Sequence, residues 1–307
     1  MTNLNLVLND ERINAEKLKR VEKTMKILST IFLYAFLIVM AVIVLVPFYW
    51  MIITSLKTNE EIRASVQTYF PKVIMWKNYA EALGPDSSFE FWTYLKNTLV
   101  VGIVSTLGTI FTTIFAAFAF ARLNFKGKDV LFTLFLATMM IPGEMLVITN
   151  YITVSKLGWI GTDLKGAYLA MIVPFWISVF YIYLLRQNFK QIPNELYYAA
   201  KVDGKSDWQY LWKVMVPIAM PTLISIFILK LMGAWNSYVW PNLVADRAEW
   251  RLISNGLRGA FQDVSTGHVR YELQMAATVV VTVPLLLLFI FFRKYIMRGV
   301  SRAGLKG

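Results

Sequence analysis

The chain has 307 residues, of which 57% are hydrophobic and only 16% are charged, and its mean hydropathy is +0.53. An average soluble domain carries roughly 25% charged residues, so this composition excludes an ordinary soluble enzyme or binding module. The net charge of +12 is not gathered in a soluble basic domain, which argues against nucleic-acid binding. The sequence contains no cysteine, so disulfides and thiol chemistry are excluded.

Six long apolar runs predict an all-α membrane protein with six transmembrane helices. About 20 predominantly apolar residues in a helix cross the hydrocarbon core of a bilayer. Four of the runs are uncharged, and each of the others holds one charge, Glu144 or Lys230. The predicted spans lie near residues 27–55, 97–121, 130–152, 166–186, 216–237 and 274–293.

The charge distribution predicts the topology. Residues 1–26 form a polar arm, residues 27–293 form the transmembrane domain, and residues 294–307 form a tail. With an even number of spans both termini lie on one side, and lysine and arginine are enriched in the segments of that side. Basic segments next to a span stay in the cytoplasm, so both termini of this multi-pass protein are predicted to be cytoplasmic.

Two charged residues lie at or near membrane depth. Glu144 directly follows Pro142 and Gly143, which are expected to break the third span and to open a polar cavity. A charge at this depth is costly and commonly functional, so Glu144 is predicted to lie near a translocation path. The alternatives are a buried pair between Glu144 and Lys230 or a charge near a helix end.

The segment of residues 192–217, between the fourth and fifth spans, carries the most specific pattern. Pro193 and Glu195 suit the first turn of a helix, and Gly204 suits a left-handed helix stop. Ser206 and Gln209 fit a capping box for a second short helix. The pattern predicts a helical hairpin outside the membrane.

One face of the first helix in this hairpin is small and flat. Its residues, by their three- and four-residue spacing, are Leu196, Ala199, Ala200 and Asp203. A small face allows the surface of another protein to come close. The hairpin is therefore interpreted as a docking site for a cytoplasmic partner, and the alternative is a connecting loop that only covers the bundle.

The same segment resembles the EAA loop of permeases in ATP-binding-cassette importers. Ala199 and Ala200, followed at the family's spacing by Gly204 and Pro217, match the motif. Tyr198 stands at the motif's glutamate position, so the family's salt bridge to the ATPase is not carried over, and Glu195 one turn earlier is the alternative.

Residues 27–307 are similar to the maltose-type carbohydrate branch of the binding-protein-dependent inner-membrane permeases. The matching stretches are 141–144, 157–159, 234–236, 240–241 and the glycine-rich tail 298–307. The resemblance implies a type I importer permease fold in a bacterial cytoplasmic membrane, with residues 192–217 as a cytoplasmic EAA coupling loop. It also implies that the chain is not an enzyme.

The resemblance further implies partners and sites. The partners are a second homologous permease, two ATP-binding subunits that use ATP and Mg, an extracellular sugar-binding protein, an oligosaccharide and the lipid membrane. No cofactor is expected on this chain. The coupling residues are Glu195, Tyr198, Ala199, Ala200, Asp203, Gly204 and Pro217. A tail contact to the ATPase is expected at Arg302, Lys306 and Gly307.

Sugar contact is predicted around the end of the fifth span. Trp235, Asn236 and Tyr238 could stack on a sugar ring and bond its hydroxyls, and together with Glu144 they are the candidate substrate pathway. The alternative is an aromatic belt at the outer membrane interface.

Other chemistry finds no support in the sequence. Gly204, Lys205 and Ser206 resemble the end of a phosphate-binding loop, but Ala199 replaces the first required glycine. His268 is the only histidine, so no metal site is expected. The open alternatives are an importer for glycerol phosphate or a monosaccharide, an ion-coupled secondary transporter and a membrane scaffold.

Overall fold

The structure is a computed structural model that describes residues 2–262 and 267–304, with side chains for residues 22–262 and 267–294. The described residues form helices and no strand, and their one isolated β-bridge joins Gln262 to Val269. The predicted all-α class is confirmed for these residues.

Three continuous helices are long and apolar enough to cross a membrane. They are α1 (Thr2–Ser55), α4 (Phe91–Ala121) and α15 (Tyr271–Gly304). The apolar parts are Glu22–Ser55, Phe91–Ala121 and Tyr271–Lys294. The predicted domain limits at residues 26 and 294 fall inside α1 and α15, so they mark a change of hydropathy and not a break in the backbone.

Three further candidate spans in the described residues are bent pairs of helices, which gives a total of three to six spans. The pairs are Lys128–Met140 with Gly143–Lys156, Leu164–Phe175 with Val179–Gln191, and Asp207–Ile218 with Met220–Trp235. Their bends are 89°, 47° and 75°.

The largest bend lies within the third predicted span. Ile141 has extended backbone angles because the ring of the following proline disfavours the helical region. Helix α5 (Lys128–Ala137) and its 3₁₀ extension therefore end at Met140, and a new turn begins at Gly143 before α6 (Val147–Lys156). The break at Pro142 and Gly143 is as predicted.

The remaining helices are short or belong to the bent pairs. They are α2 (Asn59–Arg63), α3 (Lys77–Leu83), α7 (Leu164–Ile172), α8 (Val179–Gln191), α9 (Asn194–Val202), α10 (Asp207–Tyr210), α11 (Val216–Ile218), α12 (Met220–Trp235), α13 (Val239–Val244) and α14 (Ile253–Gly259). A π-helical turn, Leu211–Met215, joins α10 to α11.

Helix α4 packs against α7, α8, α12 and α14 and so lies at the centre of the bundle. Two of its glycines permit close approach, as small residues commonly do between membrane helices. A Cβ atom on Gly102 would lie 2.9 Å from Leu231, and one on Gly108 would lie 2.2 Å from the Trp176 ring nitrogen.

The two ends of α4 contact different regions. Ile114 and Phe118, near its end, pack with buried residues of the 192–217 segment. Phe91 and Tyr94, at its start, pack with Ile253, in a region that we name the polar cap. The polar cap comprises residues 56–97, 245–262 and 267–273. The fold therefore separates the 192–217 segment from the polar cap by the length of α4.

Candidate functional site

Helix α9 ends as the sequence predicts. Gly204 has a φ of +71°, a left-handed conformation that glycine adopts without strain. The Gly204 N–H donates to the Lys201 carbonyl at 3.0 Å, and the Lys205 N–H donates to the Ala200 carbonyl at 2.9 Å. These two bonds form a Schellman motif, which satisfies carbonyls that the helix end would leave free.

The predicted capping box of α10 is also present. The Ser206 hydroxyl accepts from the Gln209 N–H at 3.2 Å, and the Gln209 side chain accepts from the Ser206 N–H at 3.1 Å. Asp207 then ties α10 to α9, because it accepts from the Tyr197 hydroxyl and from the Lys201 ammonium, both at 2.8 Å. The bond to Asp207 raises the pKa of Lys201 above its ordinary value.

Arg122, just past the end of α4, fixes the start of α9 to the bundle. Its guanidinium donates to the Phe189 carbonyl at 2.8 Å, and also to the Ile192 carbonyl and the Asn194 side chain. Three bonds from one planar group hold the chain between α8 and α9 in a fixed direction. The 192–217 segment is thus attached to the membrane helices by side-chain bonds as well as by the chain.

The two alanines of the predicted flat face of α9 differ in burial. Ala200 is only 8% exposed and packs inward with Tyr210 and Leu211, whereas the adjacent Ala199 is exposed. Consecutive helix residues are about 100° apart, so Ala200 can face the bundle while the adjacent Ala199 stays exposed. Ala200 therefore contributes to internal packing of the segment.

The outward surface of the segment combines large apolar side chains with charged ones. Tyr198 is 62% exposed and Val202 is 88% exposed, and Leu196 and Trp208 are also exposed. The sequence interpretation missed Val202, although its position four residues after Tyr198 places both on one helix face. Of the other predicted coupling residues, Glu195, Asp203, Gly204 and Pro217 are exposed.

A second feature is a cavity of about 290 Å³ inside the bundle. Aromatic, hydroxyl and ammonium groups meet there. The lining residues are Val101, Ser105, Met171, Phe175, Tyr181, Lys230, Gly233, Ala234, Ser237, Trp240, Pro241 and Leu252. They come from α4, α7, α8, α12 and α13, from the turns after α7 and α12, and from the residue before α14.

The predicted substrate residues do not line this cavity. Trp235 is 3% exposed and packs in the apolar cluster that holds Phe91 and Ile253. Asn236 is exposed and donates back to the Met232 carbonyl at 3.0 Å, and Tyr238 lies beneath the Arg258 guanidinium. Sugar contact by these three residues stays a prediction.

The cavity is lined instead by an aromatic ring that was not among the predicted substrate residues. Trp240 lines it next to Phe175, and the Trp240 ring nitrogen is fixed by a 3.0 Å bond to the Ala170 carbonyl. The sequence alone gives no reason to prefer Trp240 over Trp235 as the cavity-lining ring. Both rings are buried, and the helix break after Trp235 decides which of them also lines the cavity.

Glu144 and Lys230 do not form the buried pair that was one alternative. Glu144 is exposed beside the bend at Pro142. The Lys230 ammonium lines the cavity and donates to the Phe175 carbonyl at 3.1 Å. A place for Glu144 near a translocation path stays a prediction.

Two expected sites fall partly or wholly outside the described residues. Lys306 and Gly307 are outside them, and Arg302 is described only as a backbone position in α15. No group of three or more potential metal-ligating side chains occurs in the part of the chain that the structure describes.

Comparison with known proteins shows the family. The pattern of the binding-protein-dependent transport system inner membrane component matches residues 108–302. The chain belongs to this family. The predicted family membership is confirmed, and the chain is an inner-membrane transport component with a type I importer permease fold.

Members of this family match the chain over nearly its whole length. The trehalose/maltose transport system permease protein MalG of Thermococcus litoralis is 31% identical over 92% of this chain and 99% of its own length. The arabinooligosaccharides transport system permease protein AraQ of Bacillus subtilis is 27% identical over 89% of this chain and 94% of its own.

A solved structure shares the fold of this chain. A chain of a bacterial ABC transporter involved in the import of the acidic polysaccharide alginate superposes with a TM-score of 0.74. The match has 23% sequence identity and covers 86% of this chain and 95% of the other. At this identity the match supports the fold alone.

Proposed function

We propose that the chain is the permease subunit of an ATP-driven sugar importer. In this role it forms half of the transmembrane pathway for an oligosaccharide and couples that pathway to a separate ATPase. The observation that carries the proposal is the match, over 92% of the chain, to a trehalose/maltose permease that is 31% identical. The arabinooligosaccharide permease supports the same class of solute.

The proposed topology has six crossings and cytoplasmic termini. Each bent pair then crosses once, the 192–217 segment lies in the cytoplasm, and the polar cap lies outside. The enrichment of lysine and arginine on the side of the termini supports this orientation. The arm, the transmembrane permease domain and the tail keep the limits given by the sequence.

The 192–217 segment is proposed as the coupling hairpin. Its exposed Tyr198, Ala199 and Val202 provide an apolar contact surface for an ATPase. Because Arg122 fixes the start of α9 to the ends of α4 and α8, a movement of the ATPase against this surface would be passed to the membrane helices. Such a rigid-body change would switch the pathway between its inward- and outward-facing states.

The proposed assembly has two permeases and two ATPases. ATP and Mg are bound by the ATPases and not by this chain, whose Gly204 region is a helix stop. A sugar-binding protein delivers the solute at the polar cap, in agreement with the binding-protein dependence of the family. The tail around Arg302, Lys306 and Gly307 is proposed as a second ATPase contact.

Co-purification in mild detergent tests the coupling surface. Wild type should bring down a second permease and an ATPase from the native membrane. Ala199→Trp places a bulky ring on the proposed contact surface and should lose the ATPase while keeping the permease. Gly204→Pro should act in the same direction, because it removes the N–H that bonds the Lys201 carbonyl.

The matched control is Ala64→Trp, the same change at an exposed alanine of the polar cap. It should keep both partners. The proposal fails if wild type comes down alone, or if Ala199→Trp holds the ATPase as well as Ala64→Trp does. A stand-alone transporter would then be the better explanation.

A further inference from the structure

Lys230 places a cationic group inside the apolar bundle. It lies within α12, in the candidate span Met220–Trp235, and its side chain lines the central cavity. A charge at membrane depth is costly unless it meets water or a counter-charge, and for that reason it usually marks a functional position.

The contacts of Lys230 within the chain leave part of its bonding capacity unused. Its ammonium group has three N–H donors, and one of them donates to the Phe175 carbonyl. The centre of the Phe175 ring lies 5.6 Å from the ammonium nitrogen. Among the side chains that the structure describes, no carboxylate forms an ion pair with Lys230. The Lys230 ammonium therefore has no counter-ion among the side chains that the structure describes.

The hydrogen bonds around Phe175 argue against a purely structural role for the Lys230 ammonium. The Phe175 carbonyl is freed by the bend between α7 and α8, and the Thr109 hydroxyl lies 2.9 Å from it and 2.9 Å from the Ser105 carbonyl, so its single proton can be given to either. The next carbonyl, of Trp176, accepts from Thr112 at 2.6 Å. Because hydroxyls of α4 lie within bonding distance of both carbonyls, a neutral side chain at position 230 would still leave each of these two carbonyls a donor within reach.

The rest of the cavity suits a saccharide. Phe175 and Trp240 offer ring surfaces to the C–H groups of a sugar, and Ser105 and Ser237 offer hydroxyls for its polar groups. The volume of about 290 Å³ is near the lower limit of about 300 Å³ for small-molecule pockets. Among the described residues that line the cavity, Lys230 is the one that carries a charge, so it is the group that would distinguish a charged sugar from a neutral one.

We propose that Lys230 is a specificity-determining residue that pairs with an anionic group of the passing solute. The solute would then be a saccharide that carries a carboxylate or a phosphate. This inference rests on the proposed importer function and narrows its substrate class. A charge-assisted bond in a cavity of low polarity is strong enough to favour the charged sugar over a neutral one of similar shape.

The test uses the whole importer, purified with its ATPases and its sugar-binding protein and reconstituted in proteoliposomes. ATP-dependent uptake is measured for maltotriose, trigalacturonate and glucose 6-phosphate, which are neutral, carboxylated and phosphorylated probes. Wild type should favour one anionic probe, and its identity separates carboxylate from phosphate recognition. Lys230→Met should lower uptake of that probe about 10- to 100-fold, the range for a lost bond to a charged group, and Lys230→Arg should restore most of it.

Lys156→Met is the matched control, because it removes an exposed lysine by the same substitution. It should leave uptake of every probe unchanged. The inference is overturned if wild type imports only maltotriose, if Lys230→Met leaves anionic uptake intact, or if it lowers neutral and anionic uptake equally. In each of these cases, ATP-dependent uptake and co-purification of the ATPase by wild type would leave the importer function standing.

Discussion

The two ends of the bundle are held together in different ways. In the 192–217 segment, the partners Tyr197 and Asp207 are 10 residues apart, and the capping-box partners are 3 apart. In the polar cap, Asn59 donates to Glu272 across 213 residues. The bonds inside the segment join near neighbours and those of Arg122 attach it to α4, whereas the polar cap combines local bonds with bonds between parts of the chain more than 150 residues apart.

Asn97 shows how the polar cap is closed. Its amide donates to the carbonyls of Glu249 and Arg251, 152 and 154 residues away, at 2.8 and 3.0 Å. The Tyr168 hydroxyl donates to the other side of the same amide at 2.7 Å. One 2% exposed side chain thus joins three separate stretches.

The 192–217 segment has an exposed apolar surface. Its bonds fix its own shape and its attachment at Arg122, but they do not cover Tyr198, Val202 or Trp208. The polar cap also exposes large apolar side chains, such as Tyr69 and Trp76, so the two ends differ in the range of their bonds and not in the exposure of apolar surface.

Removing the Asn97 amide should have the largest effect on stability. Asn97→Ala leaves two carbonyls and a tyrosine hydroxyl without their partner, and each lost bond costs roughly 1 kcal/mol, so the free energy of unfolding should fall by about 3 kcal/mol. Unfolding of the purified protein by denaturant measures this change. Asn236→Ala, at an exposed amide that bonds only its own helix, should change stability little. Equal losses in the two variants would contradict the role given to Asn97.

A change at the helix stop should act locally. Gly204→Ala puts a side chain at a φ of +71°, which costs roughly 1–2 kcal/mol. The cost should appear as faster amide hydrogen exchange in residues 199–210, with the rest of the bundle unchanged. Gly143→Ala is the control, since its φ is not positive and nothing lies within 4 Å of the added Cβ. Faster exchange in the polar cap as well would show that the two ends are not independent.

Acid should lower the stability of the polar cap, and this effect should be the smallest of the three predicted here. Burial opposes the charge of Glu61, but bonds from the Thr68 hydroxyl and the Lys72 N–H outweigh it and hold the pKa of Glu61 below its ordinary value of 4.5. A lowered pKa stabilises the fold above pH 4.5, and this stabilisation is lost as the pH falls through the folded-state pKa.

Thermal unfolding followed between pH 6 and pH 3 measures this loss. Glu61→Gln should flatten the acid side of the profile, because the amide does not titrate in this range. Glu60→Gln, at the exposed neighbour, should leave the profile as in wild type. If both variants show the same profile, the bonds to Glu61 do not contribute to acid sensitivity.

The sequence alone determined the helical class, the apolar spans and the local form of the 192–217 segment. These features depend on neighbours within a few residues. Hydropathy over a window of about 20 residues identifies a span. Gly204 and Ser206 act on bonds within their own turns, so the helix stop and the capping box could be predicted from the residues themselves.

The tertiary structure alone decided the features that depend on distant partners. Ala200 packs inward because the bundle covers one side of α9. Trp240 lines the cavity and the equally buried Trp235 does not, because the chain bends between them. Lys230 met the Phe175 carbonyl 55 residues away, at a carbonyl freed by a bend. No local pattern encodes these pairings, since each requires that two distant stretches first be packed against each other.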